Sequence, residues 1–314
     1  VPRDFSAIGF SVLDVLGRHI SEMPPAGGAI FVDQITMTVA GTAGATAVDC
    51  AILGLDGQIV TRVGRDDMGD FLVAKMERFG LSTELVQHDE KVQTSCSMLP
   101  IRPNGARSAF FVPGSAETFT LRDEDMPAAL DARIVHVGGT GLLKAFDGAP
   151  TLELLKRARS IGRTTVFDLI LATPETVRMV EPLLPYIDYF VPSIHEAAAM
   201  AGTDDPSEVA GWFRSRGVKN ALLTLEGDGV FIADESGQTF QLPAHAIDVV
   251  DTTGCGDSFT AGVICGLSKG WGIRDCARLA NAVAAQVAQG LGSVGALKSF
   301  EESVRFMETA PLRS

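Results

Sequence analysis

The 314-residue chain carries 26 Lys and Arg against 39 Asp and Glu, a formal net charge of -13, which argues against a partner dominated by phosphate backbone such as nucleic acid. With 46% apolar and 21% charged residues it can build a substantial core, and no apolar stretch approaches the ~20 residues of a membrane-spanning helix. The five scattered cysteines (Cys50, Cys96, Cys255, Cys265 and Cys276) contain no C-x-x-C pair, which fits reduced cytoplasmic thiols better than a disulfide framework or a zinc site.

In chain order, FSAIGF, IVTRVG, RIVHVGG, TTVFDL, DYFVPS and NALLTLEGDGVFIA read as strands, rich in β-branched and aromatic residues and stopped by Gly or polar residues. Between them TAGATAVDCAILG, DMGDFLVAKMERFG, APTLELLKRARSIG and PSEVAGWFRSRG read as helices, each closed by glycine. This alternation predicts a three-layer α/β/α fold with a mostly parallel central sheet. No linker divides the chain, so residues 1–314 are expected to form a single domain. The N-terminal VPRDFSAIGF lacks the basic patch and apolar core of a secretory signal. Two segments, about 17–40 and 93–113, alternate like strands with Gly/Pro turns and carry no crossover helix. They are expected to form a small sheet standing over the substrate site as a lid; the alternative is a pair of decorated loops.

The stretch DVVDTTGCGDSFTAG, Asp248 to Gly262, packs three glycines ahead of an apolar run. IDVV reads as a short strand, DTTGCG as a turn, Asp257 as the start of a helix and SFTAGVICGL as its buried body. Glycines before a helix N-terminus let free N–H groups approach an anion, so the turn suits a phosphate. Asp257 could also serve only as a helix cap.

DTTGCGDSFTAG resembles the C-terminal signature of the PfkB carbohydrate kinases, the ribokinase-like family, usually D-T-x-G-A-G-D-x-F-x-x-G, with Cys255 in place of alanine. The resemblance implies a ribokinase-like fold and transfer of the ATP γ-phosphoryl group to a hydroxyl of a sugar or sugar derivative. Asp257 would be the general base, and Gly254, Cys255 and Gly256 would supply N–H groups to the transferring phosphoryl group. AIGFSVLDVLG looks like the family's first strand, with Asp14 on the sugar hydroxyls. VAGTAGATAVDC looks like the N-terminal signature, with Gly41 and Thr42 contacting the sugar. LLTLEGDGVFI is similar to the T-L-G-x-x-G strand–turn near the nucleotide, giving Thr224 and Gly229, with Glu226 replacing the first glycine. ARLANAVAAQVAQGLGS resembles the next helix, with Asn281 lining the adenine pocket. Asp251 and Thr253 match positions that bind a monovalent cation, K+, in some members. The resemblance also implies Mg2+, a small-molecule acceptor and a homodimer.

Three departures bear on the site. Ala45 stands where the family has an asparagine for a sugar hydroxyl, so acceptor selectivity is expected to differ. The N-x-x-E tied to Mg2+ and phosphate appears as SIHE, Ser193 to Glu196, with Glu196 expected to reach Mg2+ directly or through water. D-P-N-x-R appears as DLIL, Asp168 to Leu171. A nucleoside kinase is the close alternative, with Phe110 or Phe111 as a wall for the base. A non-catalytic ligand-binding relative is a further one, favoured by the altered SIHE and DLIL. A dinucleotide-dependent oxidoreductase is rejected, because AIGFSVLD offers only Gly9 and no G-x-G-x-x-G.

Overall fold

The computed structural model describes residues 1–103, 105–170 and 172–313. The chain begins with β1 (Arg3–Gly9), β2 (Val12–Arg18), β3 (Gln34–Ala40), α1 (Thr42–Ile52), β4 (Gly57–Val60), β5 (Arg62–Gly64) and α2 (Asp67–Arg78). It continues through β6 (Gln87–Asp89), β7 (Cys96–Ile101), β8 (Phe110–Val112), α3 (Met126–Ala129), β9 (Ala132–Thr140), α4 (Ala149–Ser160), β10 (Thr164–Leu169) and α5 (Pro174–Val180). The remainder is β11 (Tyr189–Phe190), α6 (Ile194–Ala201), α7 (Pro206–Ser215), β12 (Asn220–Thr224), β13 (Val230–Ala233), β14 (Thr239–Leu242), α8 (Cys255–Ser268), α9 (Ile273–Ala288) and α10 (Phe300–Thr309).

The described residues form a principal sheet in the order β14-β13-β12-β11-β10-β9-β1-β4, parallel from β12 to β4 and closed by the antiparallel β13 and β14. Both faces are covered, because neighbouring residues of one strand point oppositely. On β9, Val135 and Val137 enter a core with Leu154 of α4 and Phe213 of α7. Ile134 enters the other core with Val48 of α1, Ile264 of α8 and Val283 of α9. Small side chains bring this second layer close: a Cβ on Gly262 of α8 would lie 2.5 Å from the Ala280 Cα of α9.

A second sheet, β3-β2-β7-β8, stands apart from the first. It starts at Val12 rather than near residue 17, and much of 17–40 is the irregular connection from β2 to β3. Asp14 therefore lies on β2 of this small sheet, not on the first strand, because the backbone leaves the principal sheet after Gly9.

Three further expectations are corrected. IVTRVG is two strands: the Thr61 hydroxyl donates to the Gly9 carbonyl (2.7 Å), and β5 turns away to pair with β6. IDVV forms no strand; β14 already occupies the sheet edge, and the Val250 N–H donates instead to the Ala288 carbonyl (2.8 Å) at the end of α9. The helix of the glycine turn begins at Cys255, so Asp257 is its third residue. The last residue of DLIL, Leu171, lies outside the described residues.

Candidate active site

The carboxyl ends of β1, β9, β10 and β12 open toward the small sheet, where open α/β sheets place their ligands. Gly254 caps α8 in the left-handed region (φ 78°), a turn that sterics reserve for glycine. The Cys255 N–H closes that turn on the Thr252 carbonyl (3.3 Å), and the first helical bond runs from Ser258 N–H to the Gly254 carbonyl (2.8 Å). The N–H groups of Gly256 and Asp257 have no backbone partner there among the described residues, and a Cβ on Gly256 would meet nothing within 4 Å. Two donors without a partner among the described residues thus stand in the first turn of a 14-residue helix, at its positive end. Of the expected donors Gly254, Cys255 and Gly256, Cys255 spends its N–H on the turn, and the Asp257 N–H is one that was not expected.

Asp257 stands beside those donors. Burial, reinforced by the negative charges of Asp14 and Glu196 and offset by Arg107, pushes its carboxyl up to about 7. Asp14 faces it from the small sheet; burial raises it to about 6 against the Ser97 hydroxyl, which donates to it at 2.5 Å. Burial and the charges of Glu196 and Asp257 push Asp168, at the end of β10, well above the usual carboxylate range. The surviving aspartate of DLIL therefore joins Asp257, Asp14 and Glu196 in one acidic site.

Gly41 is the N-cap of α1 and Thr42 its first residue, buried with a hydroxyl that has no partner among the described residues. Ala45 is buried and presents only a methyl group. Ser193 takes a structural role that the SIHE comparison did not anticipate. It is the N-cap of α6, its hydroxyl accepting from the Glu196 N–H (3.3 Å), while the Glu196 carboxylate accepts from the Ser193 N–H (2.9 Å) and hydroxyl (2.7 Å). Ser-x-x-Glu is thus a capping box that fixes the Glu196 carboxylate.

Of the residues expected near a nucleotide, only Glu226 lines a groove of about 530 Å³ between α6, the β12–β13 turn and the segment after β14; Ser193, Thr224, Gly229 and Asn281 adjoin its lining residues. Glu226 forms its wall with His195, whose imidazole lies 3.1 Å from the Glu226 carboxylate. Thr224 bridges to Ser193 at its edge, and Gly229 turns the chain at φ 94°. Asn281 is buried, and its amide donates to the carbonyl of Pro243, a lining residue (3.1 Å). Arg313, which no motif singled out, also lines the groove and donates to the Gly227 carbonyl (3.0 Å). The volume lies in the range of small-molecule sites.

Asp251 is buried; one of its oxygens accepts from the Thr253 N–H (3.0 Å) and hydroxyl (2.8 Å), the other from the Gly292 N–H (2.9 Å). Among the described residues no cluster of three His, Cys, Asp or Glu side chains is arranged to hold a metal ion by itself. The acidic pair Asp168 and Glu196 nevertheless offers oxygen donors of the kind Mg2+ takes, with phosphates and water completing its shell.

Register separates the two phenylalanines considered for a base-stacking wall. Phe111 shares a row with Ser97 and an inner face with Asp14; Phe110 shares a row with Met98 on the outer face. Phe111 packs edge-on against Phe10 (6.0 Å between ring centroids), as part of a packed pair rather than a free wall.

Two functional candidates escaped the sequence. Arg107, in the β7–β8 connection, donates from Nη1 to the Thr252 hydroxyl (2.8 Å) and acts electrostatically on both Asp14 and Asp257. Its place inside the predicted lid segment was visible; its target was not. Asp49 of α1 is fully buried with no partner for either oxygen among the described residues, and burial plus the charge of Asp257 hold it well above the carboxylate range.

The architecture is that of the ribokinase-like fold. The structure of Arabidopsis thaliana ribokinase complexed with ribose and ATP aligns with a TM-score of 0.83 at 21% identity, covering 98% of this chain and 99% of that one. The family model described as pfkB family carbohydrate kinase matches residues 17–299, and the chain belongs to that family of sugar kinases. Among its relatives, the 2-dehydro-3-deoxygluconokinase of Bacillus subtilis (strain 168) is 24% identical over 292 residues, 90% of each chain. The fructokinase of Klebsiella pneumoniae is 28% identical over 261 residues, 81% of this chain and 83% of that one.

Proposed function

We propose that the chain transfers the γ-phosphoryl group of ATP to a hydroxyl of a sugar or sugar derivative, with Asp257 as general base. The observation that carries this reading is the pairing, on one turn of α8, of a buried carboxyl raised to about 7 with free N–H donors. Asp14 and the Gly41–Thr42 turn position the acceptor, whose hydroxyl gives its proton to Asp257 as its oxygen bonds to phosphorus. The bond from phosphorus to the β–γ bridging oxygen breaks, and ADP leaves with that oxygen. The Gly256 and Asp257 N–H groups stabilise the negative charge on the transferring group.

The groove from Ser193 and Thr224 to Asn281 holds the nucleotide, with Glu226 and Gly229 forming its turn. Asp168 and Glu196 would hold Mg2+, which, when bound, neutralises charge on the phosphate oxygens. Asp251, Thr253 and the Gly292 backbone are where a monovalent cation such as K+ would sit. ADP release from MgATP across neutral sugars, sugar acids and nucleosides tests the reading. Acceptor-dependent release is expected; nucleotide binding without turnover on any acceptor would favour a non-catalytic relative.

The small sheet is the lid of this site, and its outer face supports a homodimer. By register Ile35, Met37, Met98, Phe110 and Val112 share one side, and all are exposed, with Ile35 at 68%. A contiguous apolar face of this kind marks an interaction surface. Sedimentation should show a dimer that Met98→Asp weakens; a monomer in both would remove the proposal. The described residues contain no helix long and apolar enough to cross a membrane, and we place the protein in the cytoplasm on its thiol inventory.

A further inference from the structure

The site surrounding Asp257 is crowded with negative charge: Asp14, Asp168 and Glu196 lie around it, and Asp251 acts on Asp14. An anionic acceptor would be excluded unless a cation met it there. Arg107 is placed to do so. It is carried by the small sheet, in the β7–β8 connection where it bridges to Ile101, and reaches across to the loop that precedes the glycine turn. Its guanidinium spends one donor on Thr252, and among the described residues no carboxylate lies within ion-pair distance of it. The remaining donors have no recorded acceptor there, and its charge is felt by Asp14 on one side and Asp257 on the other. It does not line the groove assigned to the nucleotide, and the transferring group already has the N–H donors of α8.

On the kinase reading above, we propose that Arg107 is a specificity residue for an anionic acceptor, a sugar acid whose carboxylate takes the free fork of the guanidinium. A planar guanidinium matches a carboxylate through paired N–H donors, whereas a neutral polyol gains little from it. Ala45 points the same way: the site gives up an amide for a sugar hydroxyl while presenting a cation on the acceptor side. Closure of the small sheet over the acceptor brings Arg107, Ser97 and Asp14 together on the substrate, with Asp14 on hydroxyls and Arg107 on the carboxylate.

The test compares matched acceptors that differ in one terminal group, such as 2-keto-D-gluconate with D-fructose and D-gluconate with D-glucitol. Each is assayed with MgATP on wild type, Arg107→Gln and Arg107→Lys. Wild type should prefer the acid, and at about pH 9, above the Asp257 limb, Arg107→Gln should raise the KM for the acid at least about tenfold and that for the neutral partner far less. Arg107→Lys should recover part of the loss, because it keeps the charge without the fork. An equal fall in kcat for acid and neutral acceptors would assign Arg107 to the phosphoryl group and overturn the proposal, as would a wild-type preference for the neutral sugar. If no acceptor is turned over, the kinase reading fails separately. Calorimetric titration of the same acids into wild type and Arg107→Gln then decides the present point: tighter binding by wild type supports it, and equal affinity or no binding overturns it.

Discussion

Burial and the neighbouring charges hold Asp257 near neutrality, and only its carboxylate form can take a proton from the acceptor. kcat/KM should therefore rise with pH along a limb centred near 7, and Arg107→Gln, by removing the charge that favours ionisation, should move that limb upward. A pH–rate profile checks both; a flat profile across neutrality would contradict the assignment. Glu226 illustrates a different residue-scale constraint. It is the sole non-glycine residue at positive φ (52°) among the described residues, at the position where T-L-G-x-x-G carries glycine. Its contact with His195 is largely exposed on both sides and so contributes little. Glu226→Gly should relieve left-handed strain and stabilise the protein by up to about 1 kcal/mol, after the greater unfolded-state entropy of glycine is subtracted. Denaturant unfolding would show this, and a clear loss of stability would refute it.

At the scale of elements, α6 shows how one short motif serves fold and site together. The Ser193–Glu196 box satisfies the helix start and fixes the carboxylate that faces Asp168. Ser193→Ala should cost about 1 kcal/mol in unfolding free energy. It should also weaken Mg2+-dependent activity by freeing Glu196, whereas Ser193→Asn, itself a good cap, should retain stability; equal stability of wild type and alanine variant would contradict the capping role. SIHE carries the sequence signature of a capping box, but its comparison with N-x-x-E drew attention to the missing asparagine instead. A short run of β-branched and aromatic residues with a clear stop, TTVFDL, matched β10 residue for residue. IVTRVG did not, because its break depends on a hydroxyl bond from Thr61 to β1, a contact between segments distant in sequence. The same limit hid Asp14's strand and the partner of Arg107: both follow from pairing in the small sheet, which local pattern does not specify. The glycine turn was legible because its motif is contiguous.

Across the molecule, the acidic site leaves a signature in stability. Burial raises Asp14 and Asp147 to about 6 and Asp257 to about 7, and holds Asp49 and Asp168 well above the usual carboxylate range. Each is protonated in the fold but ionised in the unfolded chain once pH exceeds about 4, so the folded state binds more protons and stability falls as pH rises toward 7. Asp89, held down to about 2 chiefly by the Lys91 N–H, works oppositely, and its contribution is lost in strong acid. The ligand-free Tm should therefore decline between about pH 5 and 7.5, and Asp49→Asn, which leaves no charge to form in the unfolded chain, should flatten the decline. A Tm that rises over this interval would contradict that balance.

The central claim is that Asp257 is the base, and the measurement that tests it most directly is phosphoryl transfer by Asp257→Asn under saturating MgATP and acceptor, with nucleotide affinity measured in parallel. kcat should fall by about 10²- to 10⁴-fold with nucleotide binding intact. A variant that binds nucleotide normally and turns over within about threefold of wild type would contradict it, because loss of a general base costs far more than that.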